Sequence, residues 1–235
     1  FAIADDIVCL RDGRFVGARP AAVCSRDELI RLMVGRDVAH TFPPKSARIG
    51  LPKLEVRALQ RKPHLPEVSF EVREGEVLGI AGLVGSGRTK MIRALVGADT
   101  AYRHEVHLGG KRLRVRSPAH ARAAGIGLAP EDRKRQGLVL DASLRDNILV
   151  TNLRKVCHRL WRFIRPSAAN EAAGEQIRKL QVKAASAAQP ARTLSGGNQQ
   201  KIVLAKWLHA GCQVLVLDEP TRGIDVGAKA EIYQL

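Results

Sequence analysis

The chain has 235 residues, of which 45% are hydrophobic and 26% charged, and this balance is typical of globular domains and excludes disorder of the whole chain. Its 39 lysines and arginines exceed its 23 acids and give a formal net charge of +16, which favours polyanions such as nucleotides, nucleic acid or an anionic membrane surface. Four scattered cysteines without a CxxC pair argue against a zinc site or a disulfide framework, and there is no apolar run long enough to span a bilayer.

The N-terminal part predicts a small unit made of a hairpin and a helix. Residues 7–16 alternate around an Asp-Gly turn, which indicates two antiparallel strands. Ser25, followed three residues later by Glu28, forms a capping-box pattern in front of an apolar helical stripe. Residues 41–52 begin with a proline-containing stretch and predict a linker. Residues 1–40 are too few to enclose a core, so we expect them to belong to a neighbouring unit.

The chain from residue 53 predicts an α/β domain with a parallel sheet. Residues 54–56 and 68–72 alternate as strands, and residues 105–115 indicate a hairpin around two glycines. Two mostly apolar runs, 76–81 and 214–217, are typical of buried strands in parallel sheets. Further predicted elements are helices at 91–96 and 118–124, a strand at 126–128, and a basic helical region at 142–185.

A glycine-rich loop lies between the predicted strand 76–81 and the helix that follows it. Its candidate ligand-binding residues are Gly82, Gly85, Ser86, Gly87, Arg88 and Thr89. Glycines let backbone N–H groups turn inward, and the start of a helix adds free N–H donors and the positive end of a dipole, so the loop is suited to phosphate. The side chain of Arg88 would reach the phosphates, and the Thr89 hydroxyl would bind Mg²⁺.

Arg88 stands where such loops usually carry lysine. Its planar guanidinium keeps the charge but is wider than an ammonium group, so we expect nucleotide binding with less efficient positioning for hydrolysis. Lys90 does not lie at the position where such loops usually carry lysine. We therefore expect its side chain to point elsewhere along the helix and not toward the phosphates.

Two acids follow the apolar run 214–217. At the carboxyl edge of a parallel sheet, Asp218 and Glu219 would lie beside the glycine-rich loop. Asp218 would hold Mg²⁺, and Glu219 would polarise the attacking water. The alternative is an ordinary strand that ends in an acidic turn.

A second anion-suited helix start is predicted at Ser195, Gly196 and Gly197. Ser195 is a good N-cap residue, and the two glycines expose the backbone of the first turn. The amphipathic helix that follows extends to His209. The alternative is a well-capped surface helix without a ligand.

These motifs together resemble the ATP-binding-cassette ATPases over about residues 53–235. LSGGNQQK resembles the signature motif of that family, and the TRGID stretch that ends at Asp225 resembles its D-loop. Four stretches are similar to motifs in the second cassette of tandem sugar-importer ATPases of the ribose, galactose and xylose type. They are GLVGSGRT, APEDRKRQGLV, LSGGNQQK and EPTRGIDVGAK.

The resemblance implies a P-loop NTPase fold of this type, with a mostly parallel core sheet, an antiparallel β subdomain and a helical subdomain at about 142–195. It implies that residues 1–40 are the tail of a preceding cassette, 41–52 a linker and 53–235 the second cassette. Glu131 falls where most cassettes carry a glutamine that contacts Mg²⁺ and senses the membrane domain, so it marks the coupling loop.

The family's switch histidine is expected some tens of residues after Asp225, which is past Leu235. His120 and His209 lie in predicted helices at the wrong places to replace it, and His64 is a weak candidate for the aromatic group that stacks on adenine. We therefore expect the isolated 235-residue chain not to hydrolyse ATP appreciably.

The resemblance also implies how the site works and what it works with. Two cassettes close head to tail over two ATP molecules with Mg²⁺, and Ser195 to Gly197 face the γ-phosphate held by the opposing cassette. The implied partners are the preceding cassette of the same polypeptide, integral membrane permease subunits and, indirectly, a periplasmic or extracellular sugar-binding protein. The implied location is the cytoplasmic face of the membrane.

Two other functions stay open at this point. A nucleic-acid-associated cassette ATPase is suggested by the charge of +16 and by two basic stretches, at 133–135 and 154–165. A regulatory half that binds nucleotide without turnover is suggested by Arg88 and Glu131, whereas the presence of Glu219 argues against it. The sugar-importer motifs favour the importer over both.

Overall fold

The computed structural model describes residues 2–11, 13–35, 47–60, 67–83, 85–158, 161 and 163–235. Its strands are β1 (Asp6–Arg11), β2 (Arg14–Pro20), β3 (Pro52–Gln60), β4 (Val68–Arg73), β5 (Arg103–Leu108), β6 (Lys111–Leu113), β7 (Ile126–Ala129) and β8 (Val214–Leu217). Its α-helices are α1 (Arg26–Val34), α2 (Arg88–Leu95), α3 (Pro118–Ala124), α4 (Leu144–Leu149), α5 (Pro166–Lys179), α6 (Gly196–Ala210) and α7 (Val226–Gln234). The chain divides into two compact units, Phe1–Lys45 with Gly223–Leu235, and Ser46–Arg222.

The smaller unit contains the predicted hairpin and capped helix. Strands β1 and β2 pair antiparallel, and the backbone N–H of Glu28 donates to the Ser25 hydroxyl over 3.1 Å at the start of α1. The Glu28 carboxylate also accepts from Arg19 over 2.7 Å. Helix α7 belongs to the same unit and packs against α1. Of the predicted linker at 41–52, residues 41–46 lie outside the described residues, and Pro52 is the first residue of β3. The assignment of 1–40 to a preceding cassette stays a prediction.

The larger unit has an antiparallel sheet with strand order β4-β3-β5-β6. Leu54 and Val56 of β3 point to one face, where both are buried, as the two-residue period of a strand requires. They form a core with Val106 of β5 and with Leu95 of α2. The strands predicted at 54–56, 68–72 and 105–115 are therefore confirmed, because their alternating pattern matched a sheet with one buried face.

Strands β7 and β8 pair in parallel, from Ile126 opposite Val214 to Ala129 opposite Leu217. The ladder continues one step further, because the backbone N–H of Asp218 donates to the Ala129 carbonyl over 2.9 Å. The carboxyl ends of both strands therefore meet at one edge, as the sequence predicted. The indole of Trp207 and the thiol of Cys212 lie so close to Gly127 that a Cβ there would be 2.8 Å and 2.9 Å from them.

The strand predicted at 76–81 is not formed. These residues are assigned no strand, and Val77 and Ile80 are 89% and 40% exposed. An extended segment becomes a stable strand only when neighbouring strands take up its N–H and C=O groups, and in the described part of the chain no strand pairs with 76–81. The α/β class is confirmed, but the parallel part of the described sheet consists of β7 and β8, and the larger sheet is antiparallel.

In the described part of the basic region predicted to be helical at 142–185 there are two α-helices, α4 and α5. Between them lie a 3₁₀ turn at Leu153–Val156 and an antiparallel bridge between Cys157 and Ile164. Both helices pack against α6. Leu144 and Ile148 of α4 and Ile202 of α6 are completely buried. Among the described residues, no helix is both long and apolar enough to cross a bilayer.

The side chain of Asn147 links Val139, which lies between β7 and α4, to helix α4. Its side chain is buried, accepts from the backbone N–H of Val139 over 2.8 Å, and donates to the carbonyls of Val139 and Ser143 over 2.9 Å and 3.0 Å. We expect Asn147→Ala to lower the free energy of unfolding by about 1–3 kcal/mol, because it leaves buried backbone groups without partners. Urea unfolding of the full chain measures this loss.

The matched control is Asn170→Ala. The side chain of Asn170 is exposed and accepts from the Arg145 guanidinium over 3.2 Å, so its loss should change the free energy of unfolding by less than about 0.5 kcal/mol. Equal effects of the two substitutions would show that the buried contacts of Asn147 do not stabilise the fold.

Candidate nucleotide-binding site

The glycine-rich loop leads directly into α2, as predicted. Gly87 is the N-cap residue of that helix and has φ 91°, a left-handed conformation that favours glycine. A Cβ on Gly82 would lie 2.6 Å from the Ser86 hydroxyl, so only glycine allows this close approach. No side chain of the N-cap residue accepts from the first turn of α2, and its N–H groups can therefore bind an anion. Val84 lies outside the described residues.

A cavity of about 590 Å³ opens beside this loop. It is lined by the loop residues Gly85, Ser86, Gly87 and Arg88 and by apolar and aromatic residues that include Leu59, Val68, Phe70 and Tyr102. A lining that combines a glycine-rich loop with apolar and aromatic side chains suits the phosphate and base ends of a nucleotide. Sequence reasoning missed Phe70 and Tyr102 because it looked for an aromatic residue before Val68, and His64 in that region lies outside the described residues.

Lys90 is also among the residues that line this cavity, and the direction of its side chain relative to the phosphates stays a prediction. Lys90 lies in the first turn of α2, and the cavity extends along that turn and past the loop itself.

Arg88 and Glu219 form an ion pair. The Arg88 guanidinium Nη2 donates to Glu219 Oε1 over 3.2 Å, across 131 positions of sequence. Glu219 has φ 45°, a strained conformation for a residue other than glycine and one often found at functional sites. The pair is 30% and 42% exposed, so it adds little stability. It does show that the predicted basic residue and the predicted base lie side by side.

A second cavity, of about 430 Å³, brings together Thr89, Glu131 and Asp218. Asp218 is buried. A hydroxyl and carboxylates are the oxygen ligands that Mg²⁺ prefers, and Mg²⁺ commonly takes one or two protein ligands and completes its shell with phosphate and water. Among the described residues there is no group of three or more His, Cys, Asp or Glu that could hold a metal.

Glu131 has a partner that the sequence did not reveal. Its carboxylate Oε1 pairs with Nη1 of Arg222, and Arg133 donates to the carbonyl of Arg222 over 2.7 Å. Asp132, between them, accepts from two backbone N–H groups of the following π-helical turn. The segment after β7 is therefore held in place by local caps and by the segment after β8.

The helix start at Ser195 lies apart from both cavities. Ser195 lines a third, open cavity of about 570 Å³ together with Lys183 and Asn198. Ser195 is the N-cap residue of α6, as predicted, but its hydroxyl accepts from the Asn198 side chain over 3.0 Å and makes no side-chain bond to the backbone of the first turn. A nearby amide side chain thus takes the place of the backbone donor. Gly196 and Gly197 form the first turn of α6.

Asp225, His120 and His209 lie in or at the start of helices in the described chain. Asp225 caps α7 by accepting from Ala228 N over 2.8 Å, and it belongs to the smaller unit. His120 lies on α3 and is exposed. His209 lies in the last turn of α6, where its Nε2 is 3.2 Å from the Asn152 carbonyl, and burial lowers its pKa. Both histidines lie in helices, as predicted.

Lys206 is a buried cation on α6. Its ammonium donates to the carbonyl of Gly137 and lies 5.6 Å from the centre of the Trp207 ring. Burial lowers the pKa of Lys206 from 10.5 to about 8. Between pH 8 and 10.5 the unfolded chain therefore holds a proton that the folded chain has released. The free energy of unfolding that this group contributes consequently rises with pH across that window.

We expect the wild-type chain to gain about 2 kcal/mol of stability relative to Lys206→Met between pH 8 and pH 10. Methionine has nearly the same shape and carries no titrating charge. Urea unfolding at several pH values measures the difference, and Lys183→Met, at an exposed position, should give parallel curves. A pH-independent difference between wild type and Lys206→Met would refute the depressed pKa.

Known proteins match this chain along most of its length. A family model described as ABC transporter matches residues 65–222. Ribose import ATP-binding protein RbsA 1 of Burkholderia thailandensis is 48% identical over 237 residues, which cover all of this chain and 47% of that protein. Ribose import ATP-binding protein RbsA 2 of Streptomyces coelicolor is 50% identical over 236 residues, all of this chain and 45% of that protein. The chain thus spans about half the length of these relatives.

Solved structures share the fold. A nucleotide-free ATP-binding cassette from an ABC transporter superposes with a TM-score of 0.65 at 21% identity, covering 78% of this chain and 75% of that chain. The ADP conformation of MJ1267, also an ATP-binding cassette, gives a TM-score of 0.63 at 21% identity, with the same coverage of both chains. At this identity the likeness shows the fold alone. The family model, however, matches well over half of the sequence, and the chain therefore belongs to the ABC transporter family.

Proposed function

We propose that this chain is the second cassette of an ATP-hydrolysing subunit that drives import of a monosaccharide. The observation that carries the proposal is the meeting of three features in the larger unit: the free helix start at the glycine-rich loop, the cavity shared by Thr89 and Asp218, and Glu219 paired with Arg88. Relatives named as ribose import ATP-binding proteins, up to 50% identical among those compared, support the sugar.

The residues suggest how the nucleotide is held. Its phosphates would lie against the N–H groups of residues 85–89 at the start of α2, and its base against Phe70 and Tyr102 in the 590 Å³ cavity. Arg88 would exchange its contact with Glu219 for the phosphates. Thr89 and Asp218 would hold Mg²⁺, which neutralises charge on the phosphates when bound.

Glu219 is the group that would accept the proton of the attacking water. A carboxylate acts as a base only when it is ionised and within reach of that water. Transfer of Arg88 to the phosphates would leave Glu219 without its cation and available to the water. Positioning and charge neutralisation are the main contributions to phosphoryl transfer. In this proposal Arg88 supplies charge neutralisation at the phosphates, and Glu219 positions the attacking water.

The wider assembly belongs to the same proposal. Ser195, Gly196 and Gly197 would contact the γ-phosphate held by a preceding cassette of the same polypeptide, which agrees with their distance from the loop cavities. Asp225 would lie at the contact between cassettes. Membrane permease subunits and, indirectly, an external sugar-binding protein complete the importer, and this subunit would sit at the cytoplasmic face of the membrane.

The two alternatives are less well supported. One of the basic residues suggested for nucleic acid, Arg133, has its guanidinium engaged with the carbonyl of Arg222, and Arg159 and Arg162 lie outside the described residues. A half without turnover is less favoured because Glu219 is present and lies beside the loop residue Arg88.

The test uses the full-length protein assembled with its permease subunits in vesicles. Hydrolysis at this site is isolated by disabling the catalytic glutamate of the other cassette, and uptake of labelled ribose, galactose and xylose is measured in parallel. We expect Mg²⁺-dependent hydrolysis and uptake of one of these sugars. Hydrolysis stimulated by nucleic acid instead of by sugar transport would favour the first alternative, and nucleotide binding without hydrolysis would favour the second.

A further inference from the structure

The segments that follow β7 and β8 touch each other at the carboxyl edge of the parallel pair. The first segment is residues 130–132, called here the coupling loop. The second is the turn at residues 218–222, called here the base turn because it contains Glu219. Both follow directly from strands in register, so their starting points are fixed by the sheet.

Arg222 makes three contacts at this edge. Its backbone N–H donates to the carbonyl of Glu219 over 3.0 Å and closes the base turn. Its guanidinium pairs with the carboxylate of Glu131 in the coupling loop. Its own carbonyl accepts from the Arg133 guanidinium over 2.7 Å. Arg222 is thus attached to the coupling loop by both its side chain and its backbone.

Glu219 lies at the other end of the same short turn. Its backbone has φ 45°, and strained conformations of this kind persist only where the surrounding contacts hold them. Two described contacts hold this turn, the closing bond from Arg222 and the pair between Glu219 and Arg88. One end of the base turn is therefore bound by the Arg88 guanidinium of the glycine-rich loop. The other end is attached to Glu131 of the coupling loop by the guanidinium of Arg222.

We propose that Arg222 is a positioning residue that fixes Glu219 for hydrolysis by tying the base turn to Glu131 of the coupling loop. A movement of the coupling loop is then passed to the base through one ion pair and one turn of backbone. The inference rests on the proposed function, because it assigns the position of the base in that reaction. It adds a role for Arg222, a residue of the TRGID stretch that is not among the predicted site residues.

The contribution of the Arg222–Glu131 ion pair to folding stability can be distinguished experimentally from its effect on the position of Glu219. The side chain of Arg222 is 62% exposed, and exposed ion pairs contribute little to folding. Loss of the pair should therefore leave the unfolding midpoint nearly unchanged. Small displacements of a catalytic group, by contrast, strongly reduce the rate of the chemical step.

The experiment compares Arg222→Gln, Arg222→Lys and Glu131→Gln in the full-length protein with the other cassette's catalytic glutamate disabled. We expect Arg222→Gln to lower kcat for ATP about tenfold with KM changed less than about twofold, and lysine to restore part of the loss. Because the two residues act as one pair, the double variant with Glu131→Gln should be no slower than the slower single variant. Arg135→Gln, at a side chain that is 88% exposed, is the matched control and should match wild type.

A second readout does not depend on turnover. Amide hydrogen exchange of residues 219–222 should become faster in Arg222→Gln, and exchange in α5 should stay the same. An active wild-type site with Arg222→Gln within twofold in kcat and with unchanged exchange would overturn the positioning role and leave the proposed function intact. A wild-type site that neither binds nor hydrolyses ATP would instead overturn the proposed function.

Discussion

Glu219→Gln in the full-length protein is expected to slow ATP hydrolysis at this site by about 10²–10⁴-fold, the contribution typical of a positioned general base. The glutamine amide cannot accept the proton of the attacking water. It also cannot form the ion pair with Arg88, so the guanidinium becomes free for the phosphates and bound nucleotide should be retained. Single-turnover hydrolysis and filter-bound ATP measure the two effects.

The matched control is Glu171→Gln, at an exposed position of α5, which should hydrolyse ATP at the wild-type rate. Hydrolysis by Glu219→Gln within tenfold of wild type, with the other cassette disabled, would remove Glu219 from the role of base. The left-handed backbone at that residue would then need a different explanation.

Arg88→Ala is expected to weaken nucleotide binding at this site by about 10–150-fold, which corresponds to the loss of a charged contact of about 1.5–3 kcal/mol. Breaking the exposed ion pair between Arg88 and Glu219 costs little free energy. The contact between Arg88 and the phosphates therefore contributes nearly its full free energy to nucleotide binding. Arg88→Lys should preserve binding and leave hydrolysis equal or faster, because an ammonium fits between two phosphates as a compact charge. Equilibrium titration with ATP and with ADP measures the affinities.

Arg178→Ala, at an exposed position of α5, provides the control for loss of an arginine. Unchanged affinity in Arg88→Ala would mean that Arg88 serves Glu219 alone and does not face the phosphates. Loss of hydrolysis in Arg88→Lys would mean that arginine is the better residue here, and that the guanidinium has a role in the reaction that a point charge cannot replace.

Local signals in the sequence predicted most of the elements that position the site. The cap at Ser25, the hairpin around Gly109 and the strand 214–217 depend on residues close in sequence, and all are present. The prediction of a strand at 76–81 was wrong because an apolar run indicates that a segment can be buried but does not indicate which strand would pair with it. Pairing is a property of the whole sheet.

The proximity of several candidate site residues was predictable from the sequence, but their contacts were not. The motif residues Thr89 and Asp218 share a cavity as expected, since strand ends and helix starts follow from chain order. The pairing of Glu131 with Arg222 depends on the register between β7 and β8 and on the turn after β8. Neither is visible in one sequence, and the same holds for the aromatic wall at Phe70 and Tyr102.

The position of Trp207 gives this site its own optical reporter. The chain has two tryptophans: Trp161 is 68% exposed, whereas the indole of Trp207 covers Gly127 and lines the cavity of Thr89 and Asp218. In a Trp161→Phe background the intrinsic fluorescence would come from Trp207 alone within this chain. Its emission would then follow, without any added dye, the filling of the cavity in which the cation and the phosphates are expected to meet.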